Sequence, residues 1–158
     1  MADQYKGKVD FYAVYILEAH PTDVWEMQSN VRDGVLFRSP RDEAERVSVA
    51  GKCVRKLGIK FPAVVDSFDN QVEVAYTGWP DRMYLIATDG RIRYKSKPGP
   101  FGFHPQDLAA AVRNAVVNDA SSSPSNRLAA RVHRVNQPTH PHPAGSLGGP
   151  SSLLQIIP

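Results

Sequence analysis

Met1-Ala-Asp-Gln-Tyr-Lys-Gly7, followed at once by Val9-Asp-Phe-Tyr-Ala-Val-Tyr-Ile16, is the stretch that decides the fold. The first piece reads as the last turn of a helix, with Gly7 as its C-terminal stop. The second is a run of apolar and aromatic residues of strand length, which reads as a buried strand. A helix handing directly to a buried strand belongs to an α/β unit already under way. The expectation is therefore that a helix which should come first is almost entirely missing.

Outward from that strand the pattern continues as βαβαββα. Leu17 to Trp25 and an irregular stretch to Pro40 lead to Asp42, which is placed to cap a helix running to about Leu57. Val47, Ala50, Val54 and Leu57 share one face of that helix, and Gly58 ends it. Phe61 to Val65 reads as a short buried strand, and Asp69 to Tyr76 as a short helix. Met83 to Thr88 and Arg91 to Lys95 form a hairpin across Asp89-Gly90. Pro105 opens a closing helix to about Val117, at a position where no amide donor is needed. Alternation followed by a hairpin and a helix predicts an α/β sheet of mixed strands.

The chain has 158 residues, 42% of them hydrophobic, enough for the core of one domain over 1–118. From 119 to 158 it turns rich in Pro, Ser, Gly and His, a composition too poor in apolar surface to offset its ordering entropy, so this tail is expected to be disordered. Arg127, Arg131 and Arg134 against Asp119 put +2 of the net +3 there. The near-neutral body argues against a nucleic-acid surface. One cysteine excludes an internal disulfide, a CxxC pair and a cysteine zinc site. No signal-peptide core or membrane-length apolar run is present in this sequence, and a cytoplasmic location is expected.

Phe61-Pro-Ala-Val-Val-Asp66, then Gly78-Trp-Pro-Asp-Arg-Met-Tyr-Leu-Ile86 and Asp89-Gly-Arg-Ile92, resemble the second half of thioredoxin-like and peroxiredoxin-type proteins, with Pro80 matching their cis-proline. The narrower resemblance is to the iodothyronine deiodinases. Tyr15-Ile-Leu-Glu-Ala-His-Pro-Thr-Asp-Val-Trp25 looks like their signature after the first strand, and Gly90-Arg-Ile-Arg-Tyr-Lys-Ser-Lys-Pro-Gly-Pro100 continues it. The resemblance implies a thioredoxin-like sheet whose central strand, between the strands at Phe11 and Met83, is missing together with the selenocysteine or cysteine nucleophile. It implies an oxidoreductase that removes iodine from an iodinated or phenolic small molecule with a thiol reductant, and it leaves a homodimer open. The alternatives are a peroxiredoxin-like or thiol–disulfide reductase, or a non-catalytic binding module. No cofactor and no metal are assigned.

Glu18 and His20 lie just past a buried strand, where α/β folds place their ligands. The resemblance makes His20 the proton-handling group and Glu18 its support, work that suits an imidazole titrating near neutrality. Read without the resemblance, they are a turn pair capping Pro21-Thr22-Asp23. The resemblance also implies a substrate clamp of Asp66 and Arg82, beside Pro80. A structural Asp–Arg pair or two independent loop charges are the other readings. Trp25 and Trp79 fit either the cleft or loop anchoring. Cys53 falls on a helix and reads as a buried, inert thiol. His104 is assigned no chemistry, and His133, His140 and His142 read as solvated.

Overall fold

The computed structural model describes residues 1–121 and 151–157. A 3-10 turn at Asp3–Tyr5 precedes β1 (Val9–Tyr15), and Gly7 sits between them at φ 77°, in the left-handed region where glycine is at home. Then follow α1 (Gln28–Asp33), α2 (Glu43–Lys56), β2 (Ala63–Val65) and α3 (Gln71–Tyr76). The hairpin of β3 (Arg82–Ile86) and β4 (Ile92–Lys95) leads to α4 (Pro105–Ser121), and β5 is Ser151–Ile157. The predicted α/β class, the order of elements and the hairpin turn are all present. The short helix α1, closed by Gly34 at φ 64°, was not anticipated within the stretch read as irregular.

The sheet order is β2-β1-β5-β3-β4. β1 is parallel to β2 and to β5, whereas β3 is antiparallel to β5 and to β4. The central position expected to be missing is therefore occupied, by residues from the segment expected to be disordered. The reason is local composition: Leu153, Leu154, Ile156 and Ile157 are concentrated in seven residues, and averaging over the Pro/Ser/Gly-rich tail dilutes them. α4 likewise continues past the expected boundary to Ser121. The remainder of the tail, 122–150 and Pro158, with His133, His140 and His142, lies outside the described residues.

The core follows from strand alternation. Val9 and Phe11 point to the face covered by α4, packing with Met83, Leu85, Leu108 and Val112. Ala13 and Tyr15, further along the same face, meet Ala50 of α2. Val14 and Ile16 turn the other way, to Tyr84 and the flank of α3 at Val72 and Tyr76.

Asp42 caps α2 as expected, its carboxylate accepting from the Glu45 amide at 2.8 Å. The helix's buried face is rotated from the expected one: Arg46 and Ala50 are buried, while Val47 and Leu57 are exposed. Arg46 claims that face because its Nη1 donates to the Ser67 carbonyl at 2.8 Å and its guanidinium lies 5.0 Å from the Phe68 ring centre. It thereby fastens the β2–α3 connection to α2.

Leu85 is 1% exposed between β5 and α4. Leu85→Ala is expected to cost about 2–5 kcal/mol, seen as a lower urea midpoint with an unchanged slope. A loss below about 1 kcal/mol would show that this side of the sheet does not carry the core.

Candidate active site

β1 and β5 both end where β3 begins: Tyr15 is level with Ile157, and Arg82 with Ile156. Beyond Tyr15 the chain leaves the sheet through Glu18 and His20, and ahead of Arg82 it passes through a cis Trp79–Pro80 bond. These two approaches wall a pair of cavities.

The larger, about 870 Å³, is lined by His20, Trp25, Trp79, Pro80, Arg82 and Phe101, among others. The His20 ring meets Trp25 edge-on, with centroids 4.7 Å apart. Trp25 is 60% exposed and Phe101 91%, so large aromatic surfaces stand at the mouth. Arg82 reaches Thr77 Oγ1 with Nη1 at 3.3 Å.

The smaller cavity, about 410 Å³, is lined by Tyr15, Glu18, His20, Cys53, Asp81 and Phe103, among others. The Tyr15 hydroxyl donates to Glu18 Oε1 at 2.9 Å. Burial, reinforced by the Glu18 charge, pushes the Tyr15 phenol far above its ordinary range, so it remains a donor. Burial and the same carboxylate raise the Cys53 thiol, holding it in the protonated, unreactive form. Cys53 is half-buried on the cavity wall, less enclosed than the sequence suggested.

His20 belongs to both cavities. Among the described residues, Glu18 Oε2, His20 Nδ1, Asp81 Oδ1 and Arg82 Nε are buried atoms with no hydrogen-bond partner. These four lie on residues lining the two cavities, which makes this end of the sheet the candidate site.

Of the residues singled out from sequence, His20, Trp25, Pro80 and Arg82 share the larger cavity, and Glu18 stands with His20 on the smaller. Asp66 is not with them. It is 3% exposed, and its two oxygens accept from the Val72 and Glu73 amides at 3.0 and 2.9 Å. Its carboxylate thus serves the first turn of α3, whose N-cap Asn70 makes no side-chain bond to it.

Asp81 was missed by sequence reasoning. It follows the cis-proline, and a Cβ on Gly99 would lie 2.0 Å from its carboxylate, so only glycine leaves it room. The signal that could have found it is its place between Pro80 and Arg82, both already singled out.

Mixed strands, a cis-proline ahead of the third of them, and a polar cluster at the strand ends define a thioredoxin-like α/β domain. The family model for iodothyronine deiodinase matches residues 1–115, and the chain belongs to that family. A type I iodothyronine deiodinase of Xenopus laevis is 27% identical over 112 residues, covering 71% of this chain and 42% of the relative. A type II iodothyronine deiodinase of Petromyzon marinus is 33% identical over 104 residues, 66% of this chain and 35% of the relative. A thyroxine 5-deiodinase of Sparus aurata is 29% identical over 127 residues, covering 77% and 45%. The chain thus spans less than half the length of these relatives. No helix among the described residues is long and apolar enough to cross a membrane.

Burial raises the Asp81 carboxyl above its ordinary value. A raised acid binds protons more tightly in the folded state, so the stability it contributes is present at low pH and is lost as pH rises through the folded value. Asp81→Asn should therefore be more stable than the parent at pH 7.5. The gap should close as pH falls toward about 4, the ordinary carboxyl range, when urea midpoints are compared. A pH-independent difference would show that the carboxyl's charge is not what matters there.

Proposed function

We propose that this domain supplies the phenol-binding and proton-handling part of a reductive dehalogenase acting on an iodinated aromatic molecule. The observation that carries the reading is His20, shared between an aromatic-walled cavity holding Arg82 and a second cavity holding Glu18 and Asp81. In the reaction, a selenolate or thiolate takes the iodine, breaking the carbon–iodine bond and leaving the bonding electrons on carbon. That carbon takes a proton. A thiol then displaces iodide from sulfur or selenium, and a second thiol restores the nucleophile with formation of a disulfide. The chemistry would belong to a reducing cytoplasm.

His20 is the group proposed to handle the proton, with Glu18, held by the Tyr15 hydroxyl, beside it on the wall of the smaller cavity. Arg82 is proposed to grip a phenolate or carboxylate of the substrate, and Trp25 and Pro80 to wall its ring. Asp66 was expected as a second arm of the clamp; with both oxygens engaged by α3 it is proposed instead to support the cavity from behind. Cys53, half-buried on the wall of the smaller cavity, is not the group proposed as nucleophile.

Because Trp25 and Trp79 line the larger cavity, an iodinated phenol bound there should quench their fluorescence. On the full chain, Arg82→Ala is expected to weaken binding about 10- to 100-fold, the loss of a charged hydrogen bond worth about 1.5–3 kcal/mol. His104→Ala should leave it unchanged. Asp66→Ala should lower the urea midpoint while sparing affinity in the fraction that stays folded. Equal affinities for the Arg82 and His104 variants would remove the clamp.

The full chain with iodothyronine and dithiothreitol is expected to show no turnover above a heat-treated control. Turnover abolished by Cys53→Ser would overturn the division of roles proposed for this domain.

A further inference from the structure

Seven residues of β1 and five of β3 find their common neighbour in β5. The ladder to β1 runs without interruption from Val9 opposite Ser151 to Tyr15 opposite Ile157. The ladder to β3 runs from Arg82 opposite Ile156 to Ile86 opposite Ser152. β5 is separated from α4 by residues 122–150, far more than the few residues that usually join neighbouring elements.

The two flanking strands carry some of the least exposed residues of the protein: Ala13 and Tyr84 at 0%, Leu85 at 1% and Val14 at 2%. An empty position between them would leave two rows of amides and carbonyls unpaired beside that core, a cost that only another strand removes. The position has a fixed length, a fixed direction parallel to β1, and a fixed register. Leu153 falls level with Phe11 and Leu85, Leu154 with Tyr12 and Tyr84, and Ile156 with Val14 and Arg82. These are the attributes of sites that recognise extended peptides by strand addition, where main-chain hydrogen bonds supply affinity and alternate positions supply selectivity.

We propose that the slot between β1 and β3 is a strand-acceptor site, that Ser151–Ile157 occupies it as a tethered ligand, and that the slot takes the same segment when it is supplied in trans. The slot opens onto the cavities at Tyr15 and Arg82, so its occupant also sets the spacing between the two halves of the candidate active site.

A specific protease site placed within Gln137–Pro143 of the full chain tests this. After cleavage the tail fragment should remain with the body through gel filtration. A fluorescein-labelled peptide spanning 145–158 should then exchange into the complex, followed by anisotropy. The same peptide carrying Leu154→Pro should bind at least about tenfold more weakly, since it removes a ladder donor. The uncleaved chain should resist exchange, because a tether holds its strand at a millimolar effective concentration. Loss of the fragment from a body that keeps its thermal transition would overturn the proposal.

A second measurement does not depend on cleavage. Asp10 and Ser152 are register partners. In a Cys53→Ser background, the double variant Asp10→Cys with Ser152→Cys should therefore form a disulfide on mild oxidation. The control variant Asp10→Cys with Ser151→Cys, whose two positions lie on opposite faces of the sheet, should not. A disulfide in the first variant, within one chain or between two copies, places the segment in the slot. No disulfide there, or equal linking in both variants, would refute it.

Discussion

Everything in this domain depends on the pairing of its central strand. A sheet assembled as a parallel pair, β2 and β1, and an antiparallel pair, β3 and β4, has two inner edges facing each other. The hydrogen bonds of those edges lie at the level of the most buried side chains, so water is a poor substitute partner. β5 closes both ladders at once. By doing so it fixes the distance between Phe11 and Leu85, which lets α4 seat Leu108 and Val112 across the joint. The helix packs on a surface that does not exist until the strand is in place.

The same geometry explains why the polar cluster lies where it does. At the other end of the strands the ladders stop, and the chain must turn away from the sheet after Tyr15 and return to it before Arg82. Backbone no longer saturates the polar groups there. Tyr15, at the last paired position, aims its hydroxyl at Glu18 and so converts the strand end into an anchor for the loop that carries His20. On the opposite bank, Gly99 gives up a side chain to admit the Asp81 carboxylate, and its amide donates to the Asp81 carbonyl at 3.1 Å. Two loops from distant parts of the sequence are thus held face to face by one strand end and one close backbone approach.

Local chemistry was legible in the sequence, and competition between elements was not. Asp42, Gly58, the Asp89-Gly90 turn and Pro105 marked boundaries because each acts through its own backbone or its nearest neighbours. Val47 was misplaced because hydrophobicity was the only criterion. Arg46 takes the inward position through a hydrogen bond to Ser67, 21 residues away in the chain, and nothing local announces that bond. Asp66 was misread for the same reason: a carboxylate after a strand looks the same whether it faces a ligand or the amides of the next helix. The β5 segment hid behind the composition around it, since a short apolar run weighs little in the average over a long polar tail. His20 and Glu18 were legible through an extended motif, Asp81 only through its neighbours.

Buried polar atoms without partners among the described residues, on Glu18, His20, Asp81 and Arg82, lie at the end of the sheet where β5 also terminates. The two facts have one cause. A parallel strand directs its C-terminal end to the same edge as its neighbour, and in open α/β sheets that edge is where ladders end and ligands find unsatisfied groups. A central strand running antiparallel to β1 could satisfy the same inner edges with hydrogen bonds. Its C-terminal end would then lie beside Val9 and Asp10, and its connection would have to cross the edge that now opens into the cavities. The parallel direction of β5 therefore ties completion of the core to the strand ends that wall the two cavities.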